Sequence, residues 1–195
     1  MTNSLEYLRT DEFEEVFQGL NFIADILPLV REHPHYWKWI IISAHSALQG
    51  ACVCMLTETA GTGALRKDAT TKLLARLDED AGSTNEWPDE RLADLSELLA
   101  RLPVDLKIKI KELATPFPFD VVGDIRRLHD MRNEFSHFTP KSWSIELAGL
   151  PRILEHTIGL IEEIAKSANY KRWNRFLDLP ISQVADRIRS QLGNP

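Results

Sequence analysis

The chain has 195 residues, the length of a single domain that can bury a substantial core. Its formal net charge of −6 at pH 7 argues against a protein that coats nucleic acid non-specifically, because such binding needs many cationic contacts to phosphate. That charge does not exclude a small enzymatic site that acts on nucleic acid. Residues 1–6 lack the basic and apolar regions of a secretory signal peptide, so we expect a cytoplasmic protein.

Helical periodicity dominates the first third of the chain. We predict a first helix from Thr10 to Arg31 and a second from Tyr36 to Thr57. The second is apolar nearly all round, so it should lie at the centre of the fold. It carries a stripe of small residues along which a neighbouring helix can approach closely, made of Ala44, Ala47, Ala51 and Cys54.

Polar residues within this apolar helix favour a buried core helix over a membrane span, and we expect no membrane partner. His45 and Gln49 share one of its faces and are predicted to form a hydrogen-bonded core pair. Cys52 and Cys54 point in very different directions on a helix. We therefore expect two core thiols, with neither a disulfide nor a metal site.

Residues 57–116 are interpreted as a helical and loop insertion between the second and third long helices of a single domain, residues 1–195. Short amphipathic helices are predicted from Leu65 to Leu77 and from Asp89 to Leu102. Val104 to Ile110 alternates like a strand, but one isolated strand would lack a partner, so we predict helix there.

Three helices are predicted in the last part of the chain. The third long helix should run from Phe119 to His137, with an apolar face, and end ahead of Pro140, because the residue before proline avoids helical angles. The fourth begins near Pro151, a residue suited to a first helical turn, and runs to Lys166. The last spans Ile181 to Leu192.

Arg132, Asn133 and His137 lie close together near the end of the third long helix. At about 100° per residue, Arg132 falls inside the apolar face of this helix, where an arginine needs an anionic or hydrogen-bonding partner. One interpretation is a structural ion pair with Glu14, Glu58 or Glu146. The other is a phosphate-binding arginine in a cleft.

His137 lies on the other side of the same helix, either as an exposed capping histidine or as a catalytic one. Arg132 and His137 are about 140° apart on an ideal helix, so they do not simply face one another. A joint site therefore requires the helix to loosen, or another helix or a second subunit to complete it.

Arg132-Asn133, three further residues and His137, at the end of a helix in an all-helical chain, resemble the signature of the HEPN superfamily. That signature is an arginine, four to six intervening residues and a histidine, often with a polar residue directly after the arginine. Similarity extends from about Ile125 to Ile164, and less clearly over the first two helices. One position departs from the toxins that HEPN proteins form with nucleotidyltransferase antitoxins: Thr139 stands where those toxins often carry a modifiable tyrosine.

The resemblance implies a HEPN-type helical bundle that dimerises and places the motifs of two subunits at a shared cleft. It also implies a metal-independent endoribonuclease without cofactors, plausible in toxin–antitoxin or phage-defence systems and able to pair with an antitoxin or another protein. In that chemistry His137 moves a proton to or from RNA, Arg132 stabilises charge on phosphorus, and Asn133 orients a phosphate oxygen or supports the histidine. Alternatives are a non-catalytic HEPN module that binds RNA, nucleotide or a protein partner, and a purely structural bundle.

Four further residues are candidates for contact with the substrate. His129 lies one turn before Arg132 and either extends the site or is an exposed surface histidine. Lys171, Arg172 and Arg175 alternate with aromatic residues, a composition suited to single-stranded RNA and also to a helix-packing segment with solvated charges.

Overall fold

A computed structural model describes residues 7–8, 10–57, 61–79, 85–103, 105, 121–137, 142, 144–174 and 179–193. Within them the chain forms eight α-helices, a 3₁₀ helix at Leu27–Arg31, and a single β-bridge between Leu65 and Leu92. The predicted all-α class is confirmed. The helices are α1 (Glu12–Ile26), α2 (Tyr36–Leu56), α3 (Lys67–Leu77), α4 (Leu95–Arg101), α5 (Val121–Ser136), α6 (Leu150–Lys166), α7 (Ala168–Asn174) and α8 (Ile181–Leu192).

Predicted and observed helices differ where local chemistry overrides periodicity. The first predicted helix changes to 3₁₀ geometry at Leu27, because Pro28 lacks the donor that an α-helix interior needs. Helix α4 begins later than predicted, at Leu95, because Asp94 caps it by accepting a hydrogen bond from the backbone N–H of Glu97. Helix α7 was not predicted. Most of the helix predicted at 104–110 lies outside the described residues, and so does Pro140, the residue predicted to stop the third long helix. The ranges concerned are 104, 106–120 and 138–140.

Helix α2 is the centre of the bundle, and α1, α4, α5, α6 and α7 all pack against it. The small-residue stripe admits α1 closely: a β-carbon on Gly19 would lie 3.5 Å from that of Ala47, and the Ser43 hydroxyl donates to the Gly19 carbonyl at 2.9 Å. Helix α2 is also the one described helix whose length and mean hydropathy, 1.6, would suit a membrane crossing. Just over half of that apolar window, 56%, is buried inside the bundle.

The middle segment divides between two cores. Ala69 and Leu73 of α3 form a small hydrophobic cluster of their own with Leu65, which precedes that helix. Leu95 and Leu98 of α4 instead belong to the main core, which α2 dominates. Helix α4 is therefore part of the bundle, although it lies inside the segment interpreted as an insertion.

A buried carboxylate joins α5 to α6. Asp124 is 5% exposed and accepts two hydrogen bonds from the Arg152 guanidinium, at 2.8 and 2.9 Å, and His156 Nδ1 lies 2.7 Å from the same carboxylate. Burial acts to raise the pKa of Asp124, but the hydrogen bonds and charge of Arg152, followed by His156, outweigh it and hold that pKa below its ordinary value. These groups fix how α5 sits on the bundle.

We expect Asp124→Asn to lower the free energy of unfolding at pH 7 by about 3 kcal/mol, because it leaves Arg152 without its buried counter-charge. The depressed pKa means that the carboxylate stabilises the fold above roughly pH 4, and that this stabilisation is lost as the pH falls through the folded-state pKa. Denaturant titrations at pH 7 and pH 3 should therefore show the two proteins converging in acid. Asp130→Asn, an exposed change on the same helix, is the control; an equal loss in both variants would contradict the prediction.

Both cysteines are buried thiols, as predicted. Burial raises the pKa of the Cys52 thiol to about 12 and moves that of Cys54 upward as well. We expect the two thiols to react with a soluble disulfide reagent far more slowly in the folded protein than in the denatured chain. In the denatured chain both thiols should react within the mixing time. Immediate reaction of either thiol under native conditions would contradict this packing.

Candidate functional site

The candidate site lies where the last two turns of α5 cross the first half of α2. The helices run antiparallel, since His129 contacts His45 while Phe135, further along α5, lies near Lys38, earlier in α2. The apolar face of α5 fixes this orientation through Leu128 and Met131, which are buried in the core. The adjacent positions on α5 are therefore held at the edge of the α2–α5 contact.

Arg132 is half-buried, and its Nη1 donates a hydrogen bond to Asn133 Oδ1 at 3.1 Å. No carboxylate of the described residues forms an ion pair with this guanidinium, so Glu14 and Glu146 are not its structural partners. Glu58 lies outside the described residues. The hydrogen bond to Asn133 is thus made without a carboxylate partner in the part of the chain that the structure describes.

Two histidines extend this contact into the core. The Asn133 side-chain nitrogen lies 3.0 Å from His129 Nε2, and His129 Nδ1 lies 3.0 Å from His45 Nε2. Two of the expectations need correction. The partner of His45 is His129 on another helix rather than Gln49, and His129 is half-buried and bonded on both ring nitrogens rather than an exposed surface histidine.

The environment of His45 keeps its ring neutral. The side chain is 2% exposed, and burial, followed by the positive charges of Arg132 and His129, lowers its pKa to about 4. At neutral pH His45 therefore carries one ring proton and one acceptor nitrogen.

His137 stands apart from this network. It is exposed, its backbone N–H donates to the Asn133 carbonyl at 2.9 Å, and its ring makes no hydrogen bond to any described side chain. It follows Arg132 by five positions, which on an ideal helix is a rise of about 7.5 Å and a turn of about 140°. Helix α5 remains helical to Ser136, so loosening within the described helix does not bring the two side chains together.

The basic residues after Tyr170 are also remote. Lys171 and Arg172 are exposed on α7, which reaches the far end of α2, where the Asn169 side chain donates to the Met55 carbonyl. Along α2 that end lies roughly 20 Å from the level of Arg132. Arg175 lies outside the described residues.

Two concave surfaces flank the polar residues, and the sequence did not predict either. A groove of about 530 Å³ runs between α4 and α5 and has His129 on its wall, together with Leu95, Leu99, Ile125 and Arg126. A smaller pocket of about 340 Å³ lies one turn beyond Arg132, lined by residues that include Trp37, Lys38, Ile41, Met131 and Phe135. His129 lines the first of these cavities and Phe135 the second; Arg132 lies between these two residues along α5 and lines neither cavity.

In the ranges that the structure covers, no three His, Cys, Asp or Glu side chains are grouped closely enough to hold a metal ion. No protein-family model, curated protein or solved structure matches this chain. The HEPN resemblance therefore rests on the residues of α5 and their surroundings alone.

We expect His45 to remain neutral down to about pH 4. The imidazole of His45 takes up a proton near pH 6.5 in the unfolded chain and only near pH 4 in the folded chain. The free energy of unfolding should therefore fall by up to about 3 kcal/mol as the pH falls through that window. His45→Gln, which keeps an acceptor without titrating, should reduce that loss, whereas exposed His33→Gln should not. Histidine proton resonances and denaturant titrations between pH 4 and 7 measure both effects, and a His45 midpoint near 6.5 would contradict the assignment.

Proposed function

We propose that this protein is a metal-independent endoribonuclease of the HEPN type, acting in the cytoplasm in toxin–antitoxin or phage-defence processes. The observation that carries the proposal is the Arg132 guanidinium, held by Asn133 near the end of α5 and without a carboxylate partner among the described residues. A structural arginine at this position would be expected to pair with a buried acid, as Arg152 does with Asp124.

The proposed reaction is cleavage by the ribose 2′-hydroxyl. An imidazole takes the hydroxyl proton, the 2′-oxygen attacks phosphorus, and the bond from phosphorus to the 5′-oxygen breaks as that oxygen takes a proton from an acid. Arg132 stabilises the extra negative charge on the phosphorane oxygens, and the guanidinium fork suits phosphate. The products are a 2′,3′-cyclic phosphate and a 5′-hydroxyl, and neither step requires a metal ion.

A homodimer supports this chemistry because His137 is remote from Arg132 within one chain. An isologous interface that includes the end of α5 would carry His137 of each subunit toward Arg132 of the other. His137 is exposed and available for such a contact. We assign it the proton transfer to the 5′-oxygen.

We expect the purified protein to cleave single-stranded RNA in EDTA, and Arg132→Ala and His137→Ala each to lower kcat at least about 100-fold. Arg132→Lys keeps the charge but loses the fork, so it should recover only part of the rate. Exposed Arg127→Ala and His33→Ala are matched controls that should cleave normally. Gel analysis of the fragments and their end groups measures the result, and equal cleavage by all variants would point to a contaminating nuclease.

Mixing the two inactive variants tests whether subunits share the site. If Arg132 and His137 act across the dimer, co-refolded Arg132→Ala and His137→Ala chains should regain part of the wild-type rate, because mixed dimers contain one intact pair. Mass measurement under the same conditions reports the oligomeric state. A protein that cleaves RNA as a monomer would exclude the shared site.

One observation favours a second function, a non-catalytic HEPN module that binds RNA, nucleotide or a protein partner. A single chain places the Arg132 guanidinium beside the Asn133 amide without any contribution from His137. Both groups are ones that bind phosphate oxygens. This alternative predicts saturable RNA binding that Arg132→Ala weakens, with no cleavage at any protein concentration.

A further inference from the structure

The hydrogen-bond network fixes where the ring protons of both histidines lie. Arginine only donates, so the Asn133 atom that faces Arg132 is its oxygen, and the Asn133 nitrogen must donate to His129 Nε2. His129 Nε2 is therefore a lone-pair nitrogen and the His129 proton is on Nδ1. That proton is donated to His45 Nε2, which leaves the His45 proton on Nδ1.

The hydrogen bond from His129 to His45 resembles the one that orients a histidine acting as a general base. A catalytic histidine is commonly held by a hydrogen bond from one ring nitrogen to a buried acceptor, which sets its tautomer and stabilises the cation that forms when the other nitrogen takes a proton. His45 supplies such an acceptor from the central helix, where it is 2% exposed. Its own burial keeps it neutral and able to accept.

His129 is also the imidazole nearest to Arg132 along the helix. Arg132 follows it by three positions, a rise of about 4.5 Å and an angular offset of about 60°, against about 140° for His137. His129 is also one of the residues that line the 530 Å³ groove, where a ligand can be accommodated beside it. Charged groups near it are Arg132 on its own helix, Arg126 on the groove wall and Asp94 at the start of α4.

We propose that His129 is the general base for the 2′-hydroxyl and that His45 is its positioning residue, an inference that rests on the proposed ribonuclease function. The His129 Nε2 lone pair already receives an N–H from Asn133, and a ribose O–H is a donor that can take the same place. Nε2 then accepts the hydroxyl proton, the 2′-oxygen bonds to phosphorus, and the displaced Asn133 amide donates to a phosphate oxygen. The 5′-oxygen leaves with a proton from His137 of a second subunit.

Kinetics of the full-length protein on a single-stranded RNA oligonucleotide test the two roles separately. His129→Gln should lower kcat about 100-fold or more with little change in KM. His45→Leu should lower kcat about tenfold and move the acidic limb of the pH profile to lower pH, because the imidazolium of His129 loses its acceptor. His45→Gln places an amide oxygen where Nε2 was, so it should restore both kcat and the position of the acidic limb. If His45 had only a structural role, His45→Leu would not move the acidic limb of the pH profile.

Ring-nitrogen spectra supply a readout that does not need activity. With ¹⁵N-labelled histidine at pH 7.5, His129 and His45 should both show the Nδ1–H neutral tautomer, the less common form in water, and His45→Leu should abolish it for His129. If the wild type cuts RNA and Arg132→Ala does not, but His129→Gln cuts normally, His129 is not the base and the proposed function stands. If the wild type cuts no RNA, both proposals fail, and Nε2–H tautomers would overturn the assigned network.

Discussion

Burial of α2 at the centre of the bundle is the constraint on which the other helices depend. A helix that is apolar nearly all round is stable in water only when neighbours cover most of its surface, and five helices pack against α2 here, although Trp39 remains exposed. Gly19 and Ala47 allow α1 to approach α2 closely, and α4, α5 and α6 pack against the same central helix. The position of α5, and with it Arg132, follows from this arrangement.

The buried side chain of His45 on α2 then requires polar residues on the helix that packs against it, α5. A histidine in the core requires a hydrogen-bonding partner, since an unpaired buried polar group costs roughly 1–3 kcal/mol. His129 forms a hydrogen bond with His45, Asn133 forms one with His129, and Arg132 donates one to Asn133. The polar network thus starts in the core and ends at a cation near the surface. Each member limits the rotamers of the next, which is how a protein holds reactive groups in a fixed geometry.

Periodicity predicted the long helices well because their apolar faces are regular. The bounds of α2, α6 and α8 agree with prediction to within one residue, whereas Pro28 and the Asp94 cap shortened two others. Those two effects were present in the sequence, and attention to proline and capping residues would have found them.

The candidate site was predictable only along one helix. Arg132 and Asn133 are neighbours in the sequence, and the four-residue spacing of His129 and Asn133 was a signal that both lie on one face of α5. The contact between His129 and His45 joins residues 84 positions apart, so no local pattern reveals it. The same limitation applies to the Asp124 pairing with Arg152 and His156, which depends on how α5 packs against α6.

The buried thiols make the chain a natural background for site-directed labelling. With Cys52 and Cys54 enclosed by α2 and its neighbours, a cysteine introduced at exposed Ser136 would be the one reactive toward a spin probe in the native protein. Ser136 is the last residue of α5 and adjoins His137. Dipolar spectroscopy on such a probe would report how far apart two copies of this helix end lie in solution, without removing any native side chain from the core.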